Sequence, residues 1–412
     1  MFKVTAGKAR LMRSGRQGKQ LSILVTLACL LGLAGCGGFG SVLGGATGCS
    51  SNCTTTPPEF LYATSPNHIL AFSVDSTTGA LGTPVVFPGP NQSTGLAASA
   101  NGAYLYVSDF LNNGVDGLSI NTTSGGLTSI TGSPFDLGGT PPGAGGLSKF
   151  FGGFPYLYAT DLNAAAVNGF LYDSASGALT PVPGSPFSAG DTPVQAVQAG
   201  GLFLYVSNLN DPAGGISAFT VNAQNGALST IPGSPFPTGP PGSFPGPSAL
   251  VVSGGNNLLY VALAGTANAN NQIAAFAINP TTGTLTTVPG SPFTTGNDPL
   301  QIAYVPVTLN AQAFLYTANV QDGTISAFTA DNGTGVLTPV KGSPYVAGTS
   351  IGGLAASSTA TAAGNYFLYA SDPEGKTVGV FTIDGNTGAL ASIPGSPFAA
   401  GKAPMLLTIA TP

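Results

Sequence analysis

Short apolar runs recur along this chain, and each is followed by the same kind of polar punctuation. In one stretch the order is TPVQAVQAG, LFLYVSN, GGISAFTVN and ALSTIPGSPF, and the same four-part order returns from end to end. The second run of each set (FLYAT, YLYVS, LLYVA) is apolar at almost every position, which predicts a strand buried on both faces. Between the third and fourth runs stands an Asn or Asp, three residues, a glycine, one residue and Leu. This phrase occurs from Asp75 to Leu81, Asn121 to Leu127, Asp173 to Leu179 and Asn222 to Leu228. It occurs again from Asn279 to Leu285, Asp331 to Leu337 and Asp384 to Leu390. An Asx side chain opens a turn and glycine supplies a positive φ, so each phrase predicts a β-hairpin loop.

Aligning the sets brings Tyr62, Tyr106, Tyr158, Tyr205, Tyr260, Tyr316 and Tyr369 into register, with a mean interval of 51 residues. Repeats of that length without helical periodicity predict propeller blades, each a four-stranded sheet squeezed between two neighbours. Six first strands lie inside the chain, beginning near Gly95, Gly145, Thr192, Gly246, Asp298 and Ile351, while seven second strands can be counted. The first strand missing from the N-terminal blade is supplied at the other end by Ala403–Ile409. The expectation is therefore an all-β, seven-bladed β-propeller over 59–412, closed by its C-terminal strand. The fourth run ends in GSPF, or GSPY at Gly342, but blade one has FPGP instead. Proline lacks an N–H and suits an outer edge.

Composition changes the picture at the N-terminus. Six of the ten Lys and Arg precede residue 20, and an apolar run from Leu21 to Leu33 ends in Leu33-Ala34-Gly35-Cys36. This is the layout of a secretory signal over 1–35, with Met12 as an alternative start. The LAGC ending resembles the lipobox of bacterial lipoproteins, which implies acylation of Cys36 and a membrane anchor. Residues 36–58 are rich in Gly, Ser and Thr and read as a flexible tether. Within it Cys49 and Cys53 are placed to close a small disulfide loop in an oxidising compartment; Cys29 would leave with the signal. The chain is thus expected to be exported and held in the periplasm or on the cell surface as a monomer.

From Cys36 onward four lysines stand against fifteen carboxylates, a net charge of −11, and no arginine follows Arg16. Nucleic acid is excluded as a partner because phosphate binding needs a basic stripe.

The second strands read YVSD at Tyr106, YATD at Tyr158, YVSN at Tyr205, YTAN at Tyr316 and YASD at Tyr369. These resemble the YVTN-type repeat of lactonase-like seven-bladed propellers, which include 6-phosphogluconolactonase-type proteins. Blades one and five depart from the repeat, with Ser65 and Leu263 at the Asx position. The resemblance implies a sugar-lactone hydrolase using His, Arg and Glu around the channel. Here His68 is the single histidine, the propeller has no arginine, and its glutamates are Glu59 and Glu374. If the chain is a lactonase, His68 with Asp109 or Asp372 is the base available to activate water.

The other candidates are Asp109, Asp161, Asn208, Asn319 and Asp372, each at the end of a second strand and facing one mouth of the channel. One reading is a polar ring that holds a sugar or a divalent cation. The other, favoured because the position repeats with the fold, is that each caps the turn leaving its strand. No metal-ligand motif, nucleophile elbow or phosphate loop occurs. Three functions follow: a lipid-anchored module that binds a small sugar or an envelope protein, a lactonase, and a structural or adhesion platform. The first is the preferred expectation.

Overall fold

The computed structural model describes residues 58–138, 142–148, 154–211, 215–239, 246–264, 271–306, 313–357 and 366–412. The signal, nearly all of the tether, and Cys36, Cys49 and Cys53 lie outside the described residues. Every secondary-structure element among the described residues is a β-strand.

Seven antiparallel sheets form seven blades. Blade four shows the plan. Its innermost strand is Pro193–Ala199, followed outward by Phe203–Asn208, Gly215–Val221 and Leu228–Thr230. All seven second strands are buried along their whole length. Alternation explains how both faces are used. In Glu59–Ser65, Phe60 and Tyr62 enter one apolar cluster with Leu105 and Val107 of blade two. The intervening Leu61 and Ala63 enter another with Phe367 and Tyr369 of blade seven. Seven such clusters exist, each bridging one pair of adjacent blades, so the core is a ring rather than a centre. Full burial of each Leu, Phe or Tyr in it contributes roughly 1.5–3 kcal/mol.

The ring closes as the count of strands predicted. Leu407–Ala410 lies against Phe60–Ala63 as the innermost strand of blade one. Two backbone bonds extend the seam: Met405 N donates to Thr64 O and Thr64 N to Leu406 O. The regular strand starts later than Ala403 and ends one residue past Ile409, because Met405 and Leu406 reach the sheet through those two backbone bonds to Thr64.

The hairpin glycines do more than turn the chain. Their φ angles fall between 69° and 80°. In addition, a Cβ at Gly177 would lie 2.4 Å from the Tyr104 ring of the preceding blade, and one at Gly388 would lie 2.4 Å from Phe314. The loop is thus pressed onto its neighbour, and only glycine fits there.

The GSPF phrase differs from the expectation that it ends the outer strand. The outer strand stops earlier, at Pro181 in blade three, and Phe187–Ser188 forms a separate two-residue strand on the same edge of Ala166–Tyr172. Between them the chain swings away, leaving one edge N–H uncovered. The phrase's serine supplies the acceptor: Gly169 N donates to Ser185 Oγ at 3.1 Å, and Ala218 N to Ser234 Oγ at 2.9 Å. The remaining four blades with this phrase repeat the bond. Blade one, which has FPGP, lacks the two-residue strand.

Candidate functional site

The repeat motif supplies the blade-to-blade joints. The tyrosine hydroxyl donates to the hairpin glycine carbonyl of the next blade: Tyr62 to Gly125, Tyr106 to Gly177, Tyr158 to Gly226, Tyr205 to Gly283 and Tyr316 to Gly388. Tyr260 and Tyr369 are buried in the same position without a hydroxyl partner. The Ser or Thr two residues after the tyrosine reaches the next innermost strand. Thr160 donates to Val194 O, Ser207 to Ser248 O, and Ser371 to Met405 O. In blade five, where that position is Ala262, Ser248 of the innermost strand makes the joint instead, donating to Pro299 O at 2.9 Å.

The Asx positions close the motif, and all five candidates are buried. Asp109 accepts from Asn112 N and Asn112 Nδ2. Asp161 Oδ1 accepts from Asn163 N and Ala164 N, and its Oδ2 accepts from Asn113 Nδ2. Asn208 Nδ2 donates to Gly215 O and Ser217 Oγ, and Asn319 Nδ2 to Thr324 Oγ1 and Ser326 Oγ. Asp372 accepts from Gly375 N, Thr349 N and Thr349 Oγ1. Burial works to raise the Asp372 pKa, but these hydrogen bonds overcome it and the net shift is downward. As arranged, the five side chains hold the turn that leaves each second strand and, at Asp372, the linker arriving from the previous blade.

His68 begins the third strand of blade one, opposite Ser65. Its Nδ1 lies 2.7 Å from Pro66 O, and no hydrogen bond joins it to Asp109 or Asp372. The base and carboxylate that a lactonase would need are therefore not assembled as a dyad. Among the described residues no three His, Cys, Asp or Glu side chains gather as metal ligands.

The innermost strands of all seven blades bound a central cavity of about 420 Å³. Among the described residues its lining is backbone, apolar side chains and a few neutral polar ones, with no ionisable side chain. Gln195 Oε1 already accepts from Leu250 N of the neighbouring blade, and Thr94 Oγ1 donates to Ala144 O. Gln301 and Thr408 also line the cavity, and among the described residues their side chains have no hydrogen-bond partner. Sequence reading missed these residues because no seven-fold signal marks them: Gln195 and Gln301 share a register position, opposite Ser207 and Ala318, but the other innermost strands do not carry Gln there.

Comparison with known proteins agrees with this geometry. Residues 155–352 match the family model described as Lactonase, 7-bladed beta-propeller. A candidate 6-phosphogluconolactonase from Bacteroides fragilis superposes with a TM-score of 0.65 at 17% identity, over 88% of this chain and 100% of that one. The periplasmic gluconolactonase of Pseudomonas aeruginosa superposes with a TM-score of 0.66 at 17% identity, over 86% of this chain and 100% of that one. No curated protein matches the chain. At such identities the likeness is one of fold. The seven closed blades make this chain a seven-bladed β-propeller, and its central part, residues 155–352, is similar to the lactonase propeller family.

Proposed function

We propose that this chain is a lipid-anchored, extracytoplasmic binding module whose channel takes a small neutral sugar, without catalysis. One observation carries the reading: among the described residues, the cavity formed by all seven innermost strands offers hydrogen-bonding groups but no ionisable side chain. General acid–base chemistry needs a titratable group within reach of the reacting atoms. The Gln301 amide and Thr408 hydroxyl can donate to and accept from sugar hydroxyls. An anionic sugar phosphate is disfavoured in a domain of net charge −11 without arginine. The LAGC ending at Cys36 supports the anchor.

Calorimetric titration of the full chain with glucose and with gluconate tests the reading. Glucose is expected to bind saturably and more tightly than gluconate, and Gln301→Ala to weaken it. Equal or stronger binding of gluconate, or indifference to Gln301→Ala, counts against it.

The family match supports a second reading, hydrolysis of a sugar lactone. In that case His68 or a mouth carboxylate would have to act as base after rearranging from its present contacts, and Gln301 would orient the ring.

A further inference from the structure

Two departures from the repeat meet at one groove. Blade one ends in Val85–Pro88, which pairs with His68–Ala71 and carries no two-residue strand beyond it. Its neighbour, blade two, places a carboxylate at the third position of its third strand, Asp116. Residues in the same register are Leu70, Asn168, Ser217, Ala274, Ser326 and Gly379, none of them charged. Between the blades lies a cavity of about 330 Å³, walled by Phe87, Pro88, Leu118, Leu127 and Pro134 with Asp116 on its lining.

Among the described residues Asp116 has no hydrogen-bond or ion-pair partner. The charged group that acts on it is Asp109, whose oxygens are taken up by Asn112. His68, on the strand paired with Pro88, turns its Nδ1 to Pro66. An apolar pocket with one uncompensated carboxylate and an aromatic wall is complementary to a cation with an apolar body.

We propose that the groove between blades one and two binds a small organic monocation, an ammonium carried on an apolar group. Asp116 is its counter-ion, and Phe87, Pro88 and Pro134 are its walls. The site lies between blades and does not depend on what the central channel takes.

The test is calorimetric titration of the full chain with phenethylammonium as probe and phenylethanol as its uncharged counterpart. Expected are saturable binding of the cation, no measurable binding of the alcohol, and a loss of at least about tenfold in affinity for Asp116→Asn. Phe87→Ala weakens binding as well. Asp116→Asn removes an unpaired charge and is expected to melt no lower than the parent, which separates lost binding from lost fold. Absence of saturable binding at millimolar probe, undiminished binding by a folded Asp116→Asn variant, or equal binding of the alcohol overturns the proposal.

Discussion

A single hydroxyl separates two classes of tyrosine in this ring. Tyr158 donates to Gly226 O at 2.8 Å, whereas the buried Tyr369 hydroxyl has no partner. Tyr158→Phe is expected to cost about 1 kcal/mol in urea unfolding, and Tyr369→Phe nothing or less than nothing. The hairpin glycines are less forgiving. Gly177→Ala places a Cβ at a φ of 75° and against the Tyr104 ring, so a loss of roughly 1–3 kcal/mol is expected from the same measurement. Carboxylates set the pH response. Burial, reinforced by Asp109, raises the Asp116 pKa to about 6, and burial raises that of Glu59. A raised folded-state pKa means that the neutral acid is favoured in the fold. The associated stability is present below pH 4 and is lost as pH rises through the folded value. Asp116→Asn should therefore stabilise by roughly 1 kcal/mol at pH 7, after discounting for solvent, and by nothing below pH 4. A stability gain that persists unchanged at pH 3.5 would contradict this assignment.

At the scale of elements, the closing strand and the GSPF serine carry most of the argument. Leu407–Ala410 completes the sheet of blade one and contributes Leu407 and Ala410 to two inter-blade clusters. A chain ending at Gly401 leaves the inner edge of Glu59–Ser65 unpaired. It is expected to lose its single cooperative unfolding transition, as followed by circular dichroism. Ser185→Ala removes the acceptor of Gly169 N–H and should cost about 1 kcal/mol without altering the blade. The sequence made the blade count and the closure legible because both depend on a period-two pattern and a turn phrase that recur. It did not reveal the split outer edge. In GSPF the proline marks an edge, but the serine's role depends on a partner N–H from a strand sixteen residues earlier. The motif's Ser and Thr went unread for the same reason, since their acceptors lie on the following blade.

For the molecule as a whole, what is repeated serves the fold and what is unrepeated is left for function. YVSD-like segments are absorbed residue by residue: the tyrosine and hydroxyl residue into inter-blade joints, the Asx into turns. That is why the family resemblance was plain from the sequence while the site was not. Thr408 and Asp116 sit where the blades differ from one another, and Gln301 recurs only as Gln195 of blade four, so no seven-fold signal points to them. The central claim is that the channel binds without catalysing. Hydrolysis of gluconolactone and its 6-phosphate by the full chain, corrected for spontaneous opening and run beside His68→Ala, tests it most directly. The account predicts rates equal to buffer for both proteins. Saturable turnover that His68→Ala abolishes would contradict it and place a catalytic base at the start of the third strand of blade one.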